Sequence, residues 1–254
     1  MTQEKKVFIV GAGPGDPELI TVKGARLLEE ADVVVYAGSL VNRAILDRCA
    51  ERCEIHDSGG MTLEQQIDVM VAAVAAGKRV VRLHTGDPSL YGAISEQIDR
   101  LRQRGVACEI VPGVSSLQGA AARLGIEYTV PGGTQTLICT RAPGRTPVPE
   151  RERAAALAAH GTTLVFFLSA GLVEDLVREC VAAGRTPDTP AAWIYRATWE
   201  DERSCVTTLA ELPRSLAEAG IDKHALIVIG ECLDRDVAAR SLLYHPDFSH
   251  GARI

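Results

Sequence analysis

Three stretches of this 254-residue chain carry residue types that could seat a small molecule: GAGPGD (Gly11–Asp16), HTGDPSLYG (His84–Gly92) and PGVSS (Pro112–Ser116). Glycine in such loops admits positive φ and lets backbone amides approach a ligand with no Cβ in the way. The hydroxyls of Thr85, Ser115 and Ser116 can both donate and accept hydrogen bonds. Asp87 could attract a positively charged ligand group, or it could fix its own turn, as Asp commonly does. The chemistry on offer is ligand binding through backbone and small polar groups, with the ligand left open.

The first loop alone does not choose that ligand. A dinucleotide fingerprint needs G-x-G-x-x-G and an acid at the end of the second strand for the ribose hydroxyl. Here Asp16 stands where the last glycine belongs, Pro14 removes an amide donor, and the second apolar run ends Tyr36-Ala37-Gly38 without an acid. A phosphate-binding loop needs G-K-[ST], and none follows. Gly11-x-Gly13-x-Gly15 fits the turn of the common Rossmann-like methyltransferases, which also want that missing acid. A purely structural glycine turn accounts for the residues equally well.

The elements that must position these loops follow from hydrophobic patterning. Val7–Val10, Asp32–Tyr36, Arg79–Leu83 and Cys108–Val111 are short apolar runs of the kind found in buried parallel strands. Between them, Thr21–Glu30 carries a helical stripe at Val22, Ala25 and Leu28. Thr62-Leu-Glu-Gln65 is a capping box opening a helix with Ile67, Met70, Val71 and Val74 on one face, closed at Gly77. A helix over Leu90–Arg104 stops at Gly105. The alternation predicts a parallel α/β domain over residues 1–116. A connecting helix, Leu117–Leu124, and the irregular stretch Tyr128–Gly133 make a joint over 117–133. Residues 134–254 form a second α/β domain. Its strands are expected at Thr136–Thr140, Thr163–Leu168, Ala191–Tyr195, Ser204–Thr207 and Ala225–Gly230. Its helices are expected at Glu150–Ala159, Gly171–Ala183 and Leu209–Ala219. Ser204–Thr208 follows its predecessor too closely for a helical crossover, which predicts an antiparallel pair and a mixed sheet. Arg141–Arg153, with three prolines and a glycine, reads as an exposed loop.

Composition limits the function classes. With 46% hydrophobic and 24% charged residues the chain has ample material for a core and is not of disordered composition. A net charge of −6 with no Lys/Arg run argues against a nucleic-acid partner. No apolar run approaches the ~20 residues of a membrane span, and MTQEKKVFIV lacks signal-peptide anatomy. Seven scattered cysteines without C-x-x-C read as reduced thiols of a cytoplasmic protein. Cys49 and Cys53 near His56 lack two further ligands for a metal. His245-Pro-Asp247-Phe-Ser-His250 lies in a Pro-broken terminal segment, and no metal site is expected.

Taken together, the three loops in this order and spacing resemble the tetrapyrrole (corrin/porphyrin) methylase family. VGAGPGDPELITVKG, ADVVVYAGSLV, VVRLHTGDPSLYG, VPGVSS, TLVFFLSA and ALIVIG are similar to family blocks across nearly the whole chain. Tyr36–Leu40, Gln135–Arg141 and Tyr195–Arg203 look most like the subgroup that methylates carbon C11 of precorrin-4, with or without cobalt. The family's uroporphyrinogen III methylases have an acid directly after the tyrosine of the second strand and a lysine in the next strand-end region. Here those places read Ala37 and His56-Asp57-Ser58, so no general acid or base is carried over.

The resemblance implies two α/β domains, a mainly parallel first sheet and a mixed second sheet, with a cofactor cleft between them. It implies S-adenosylmethionine as methyl donor, S-adenosylhomocysteine as product, a small-molecule tetrapyrrole substrate and a homodimer. By position, the cofactor contacts would be Pro14, Thr85, Gly86, Asp87, Leu90, Ser115, Ser116, Leu168, Ala197 and Ala225. Arg141 and Arg196 would meet substrate carboxylates, and Tyr91 and Trp199 would pack on the macrocycle. The rival readings are a nicotinamide-dependent oxidoreductase, disfavoured by Asp16 and the missing ribose acid, and the same fold acting on ribosomal RNA or protein. A non-catalytic binding module would leave three ligand loops without a purpose.

Overall fold

The computed structural model of the protein describes residues 6–234 and Ser241. The histidines and aspartate of the 245–250 segment lie outside the described residues. By contacts the chain divides into two compact units. Unit 1 comprises the residues up to Gly119 together with Thr198–Glu200. Unit 2 comprises Ala120–Ala197 and the chain from Asp201 onward.

In unit 1, β1 (Lys6–Gly11), β2 (Val33–Tyr36), β3 (Glu54–Asp57), β4 (Val80–His84) and β5 (Ala107–Val111) form one sheet in the order β3-β2-β4-β1-β5. Every pairing is parallel, so all five strands end at the same rim. That rim is where ligands bind in open α/β sheets. Two apolar clusters cover the faces. Val10, Val34, Tyr36, Val81 and Leu83 pack with Leu27 and Leu28 of α1 (Val22–Glu29). Val7, Ile9, Val33, Val35 and Val80 pack with Ile67, Met70 and Val74 of α2 (Leu63–Ala75) and with Ile94 and Leu101 of α3 (Ile94–Gln103). The capping box Thr62–Gln65 is present with both of its hydrogen bonds.

Three expectations for unit 1 need correction. The stripe of α1 runs through Gly24, Leu27 and Leu28, while Val22 is 88% exposed at the first turn. The helix expected from Leu90 begins only at Ile94, because Tyr91 and Ala93 take positive φ. Strand β3 escapes the hydrophobic patterning, since its residues are exposed or half-buried and lack an apolar run, and only the family resemblance points to a strand end at His56-Asp57-Ser58.

The helix α4 (Ser116–Leu124) contains the boundary between the units. Unit 2 holds β6 (Leu137–Arg141), β7 (Thr163–Phe167), β8 (Pro190–Tyr195), β9 (Arg203–Thr208) and β10 (Ala225–Ile229), in the order β6-β7-β10-β8-β9. Only β6 and β7 are parallel, and the β8–β9 pair is antiparallel as expected. Phe166, Trp193 and Ile227 pack against α5 (Ala154–Ala158), α6 (Val173–Ala182) and α7 (Leu212–Glu218). The helix expected over Glu150–Ala159 is broken at Arg153, whose extended backbone separates a short 3-10 turn from α5. The helix expected from Leu209 starts at Leu212, with proline in its first turn. No helix among the described residues is long and apolar enough to cross a membrane.

Candidate functional site

In unit 1 the ends of β1, β4 and β5 meet backbone to backbone. Ala12 N–H donates to His84 O at 2.7 Å, and Gly13 and Gly86 exchange N–H···O bonds at 3.3 and 2.8 Å. A Cβ on Gly11 would lie 2.5 Å from Gly86 O and 2.6 Å from Gly113 Cα, and one on Gly113 only 2.2 Å from Gly86 O. Real contacts do not reach such distances, so Gly11 and Gly113 must lack a Cβ for the loops to converge, while Gly86 meets them with φ +57°. Gly11 and Gly113 were not among the expected site residues. Their signal, glycine at the end of a strand, does not say which other backbone will approach.

Asp87 ties two of these loops. Its Oδ2 accepts from Gly113 N–H at 2.8 Å, while Oδ1 accepts from Ser89 N–H at 2.8 Å and from the Ser89 hydroxyl. Burial alone would raise its pKa, but these donors outweigh burial and hold the carboxyl below the usual carboxylate range. The turn-fixing use of Asp87 is therefore realised, with three donors already on it. Ser115 is buried, and its hydroxyl accepts from Leu117 N–H at 3.2 Å at the start of α4. Ser116 is the first residue of that helix. Leu90 is half-buried, and its N–H donates to Asp87 O at 3.2 Å. Tyr91 is exposed in a left-handed conformation.

Pro14 and Trp199 come together within unit 1. Trp199 Nε1 donates to Pro14 O at 3.0 Å, and a Cβ on Gly15 would strike the indole at 2.1 Å. Thr198 Oγ1 accepts from Asp16 N–H at 3.0 Å, and Asn42 Nδ2 donates to Gly15 O at 2.9 Å. The indole thus braces the first glycine turn, a role that nothing in its sequence neighbourhood signals. Beneath the rim, Arg82 and His84 are both 4% exposed. Arg82 donates to Gln97 Oε1 at 3.0 Å and Val35 O at 3.1 Å, and burial pulls its pKa down to about 10. Burial and then the Arg82 charge push His84 down to about 3, so its imidazole is neutral, with Nε2 lacking a hydrogen-bond partner.

In unit 2, Leu168 directly follows β7 with φ +54° and is 70% exposed, although it is a large apolar residue. Ser169 beside it is fully buried, accepting from Ala142 N–H and donating to Phe167 O. Ala197 and Ala225 are buried. Arg196 has φ +47°; its N–H donates to His224 O, and its guanidinium pairs with Asp201 at 2.5 Å. Arg141 donates to Ala142 O, Thr146 O and Pro147 O, which makes it the clasp of the proline-rich loop. A cavity of about 330 Å³ lined by Ala170, Leu172, Pro213, Leu216 and Ile221 includes none of the expected site residues.

Non-glycine residues with positive φ are confined to Tyr91, Ala93, Leu168, Arg196, Thr198 and His224 among the described residues. Each is an expected site residue or lies within two positions of one. Backbone strain of this kind costs ~1–3 kcal/mol per residue and collects at ligand sites. Among the described residues no group of three or more His, Cys, Asp or Glu could hold a metal ion.

Comparison with known proteins matches residues 6–213 to the family described as Tetrapyrrole (Corrin/Porphyrin) Methylases. A cobalt-precorrin-4 C(11)-methyltransferase of Methanocaldococcus jannaschii is 50% identical over 253 residues, covering 100% of this chain and 98% of that protein. The X-ray structure of a cobalamin biosynthetic enzyme, cobalt precorrin-4 methyltransferase, superposes with a TM-score of 0.89 at 48% identity, covering 91% of this chain and 96% of that one. The uroporphyrin-III C-methyl transferase of Thermus thermophilus, solved with S-adenyl homocysteine, gives 0.75 at 30% identity, covering 92% and 96%. With its glycine-built loops, its two sheets and relatives matched end to end, this chain belongs to the tetrapyrrole (corrin/porphyrin) methylase family.

Proposed function

We propose that this protein methylates carbon C11 of precorrin-4 or cobalt-precorrin-4, using S-adenosylmethionine, in cobalamin biosynthesis. The observation that carries this reading is the 50% identity, over the full length of both chains, to a protein bearing that activity. The residues fit the methyl donor through the chemistry they present. The glycine junction brings three strand-end loops together, so that Thr85, Ser115 and Ser116 offer small polar groups for adenosine and amino-acid parts, and Leu90 supplies an apolar wall. When bound, the donor supplies an already activated methyl group. The chain's work is then to bind, orient and exclude water.

In this reading Pro14, Thr85, Gly86, Ser115 and Ser116 offer backbone and hydroxyl contacts to the cofactor, while Asp87 holds their loops in place. Leu168, Ala197 and Ala225 are the contributions of unit 2. Arg141 and Arg196 exchange their present carbonyl and carboxylate partners for substrate carboxylates, and Tyr91 and Trp199 pack near the ring. Residues 1–116 and 134–254 act as the two domains, joined by 117–133, in a cytoplasmic homodimer. Sedimentation showing only monomer at micromolar concentration would count against the dimer.

The test is incubation with labelled S-adenosylmethionine and either metal-free or cobalt-loaded precorrin-4, the product being read by mass and by NMR of the labelled methyl. One methyl at C11 is expected, with S-adenosylhomocysteine binding once per chain and NADH not binding. A label on another ring carbon would refute the assigned step and leave the family intact.

A further inference from the structure

Beyond the three cofactor loops, the rim of the parallel sheet has two more strand ends, those of β2 and β3, side by side. Tyr36 closes β2 and Asp57 closes β3, in register with each other. Ala37 N–H donates to Leu83 O at 3.1 Å, which puts this pair one strand from Thr85. Tyr36 is 2% exposed, and its hydroxyl donates to Asp57 Oδ2 at 2.9 Å. Gly59 N–H donates to Oδ1 at 2.8 Å. Each carboxylate oxygen therefore keeps a lone pair free of these two donors. Asp57 is exposed, and the residues after it, Ser58-Gly59-Gly60, place no large side chain beside it. Asp16 and Asp57 each accept an N–H two residues on, and Asp87 accepts from Ser89 and Gly113, but among these three Asp57 is the one whose carboxylate is also oriented by a buried tyrosine hydroxyl.

A reduced, non-planar tetrapyrrole can turn its pyrrolic N–H groups toward one face, and a rigid carboxylate is the complementary acceptor. We propose that Asp57, oriented by Tyr36, accepts the pyrrolic N–H groups of the macrocycle and sets its tilt on the rim. This rests on the reading above. The groups acting on Asp57 support it. The Gly59 N–H, then the Tyr36 hydroxyl, with a smaller pull from Arg43, keep the carboxyl below its usual range and hence ionised. On the same strand, Glu54 is engaged with Lys78 and lies 4.0 Å from His56. Tyr36 itself is a poor acid, raised by burial and by Asp57, and stays a donor.

The experiment is an anaerobic absorbance titration of metal-free precorrin-4 into the full chain without methyl donor, with S-adenosylhomocysteine affinity measured in parallel. Asp57→Asn should weaken macrocycle binding tenfold or more and leave S-adenosylhomocysteine affinity within twofold. Tyr36→Phe removes a donor that favours the ionised form. Its acid limb of macrocycle binding should therefore move to higher pH than in the wild type, over a range where circular dichroism is unchanged. A purely structural tyrosine would not shift that limb. Wild-type macrocycle affinity in a folded Asp57→Asn variant overturns the proposal. So does coincidence of the Tyr36→Phe and wild-type limbs, which decides the matter if the Asn variant does not fold. Wild-type protein that methylates C11 while Asp57→Asn binds normally sinks this inference alone; wild-type protein that fails to methylate precorrin-4 sinks the functional reading.

Discussion

The loops of unit 1 share a glycine junction that has no counterpart among the described residues of unit 2. Unit 1 packs Gly11, Gly86 and Gly113 against one another, so main chain touches main chain and no side chain intervenes. Side-chain-bearing residues occupy the left-handed region in both units, Tyr91, Ala93 and Thr198 in unit 1 and Leu168, Arg196 and His224 in unit 2. Glycine enters that region without penalty, whereas an L-residue there costs ~1–2 kcal/mol. The contrast separates two tasks. Where backbone has to be brought against backbone, glycine suffices. Where a side chain must be displayed from a strand end, the strain is tolerated.

Gly113→Ala should break the first arrangement outright. A methyl group 2.2 Å from Gly86 O forces the loops apart, with an expected loss of ~3 kcal/mol or more and of measurable S-adenosylhomocysteine binding. Urea unfolding and calorimetry check both effects, and unchanged affinity would mean that the loop junction does not form the cofactor site.

Acid should separate the units next. The unfolded chain takes up the His84 proton below pH 6.5, while the folded chain refuses it until about 3. Stability therefore falls as pH drops through that window, by up to ~1.4 kcal/mol per pH unit. One tryptophan lies in each unit, Trp199 in unit 1 and Trp193, bonded to Ser215, in unit 2. Fluorescence of Trp199 in a Trp193→Phe background should respond to acid before that of Trp193 in the reciprocal variant, and His84→Gln should flatten the difference.

The smallest effect on stability is expected from Leu168→Gly. Removing an exposed side chain from a left-handed position should change unfolding free energy by ~1 kcal/mol or less, in the stabilising direction. The same change should weaken S-adenosylhomocysteine binding about tenfold, if display of that side chain is what the strain serves. Destabilisation without loss of affinity would mean that the strain at Leu168 does not serve a ligand.

Much of the fold was legible because its strands are apolar runs bounded by turn residues. Of the ten strands among the described residues, nine were expected from patterning near their observed places. The exception, β3, is an edge strand whose Glu54-Ile55-His56-Asp57 carries no apolar run. Helix starts were less legible. The left-handed Tyr91 and Ala93 delay α3, and the residue types at those positions do not announce that backbone state. The candidate loops showed themselves through glycine and serine, but the groups that organise them did not. Asp87 reaching Gly113, and Trp199 bracing Pro14 across 185 residues, are contacts that local pattern does not encode. The residues of unit 2 entered only through family resemblance, since a leucine after a strand or an alanine before a threonine carries no chemical signal of its own.

The membership of Thr198–Glu200 in unit 1 has a consequence for biosynthesis. A ribosome delivers the chain from its amino end at ~5–20 residues per second. The glycine turn at Pro14–Asp16 therefore emerges ~10–40 s before the tryptophan and threonine that complete its hydrogen bonds. Until then the nascent first sheet has its strands but an unbraced turn, which cannot be completed ahead of most of unit 2. A ribosome-stalled fragment ending before residue 198 should accordingly fold its parallel sheet yet bind methyl donor poorly, and the released full chain should bind it. The order of synthesis thus sets the order in which this protein becomes competent.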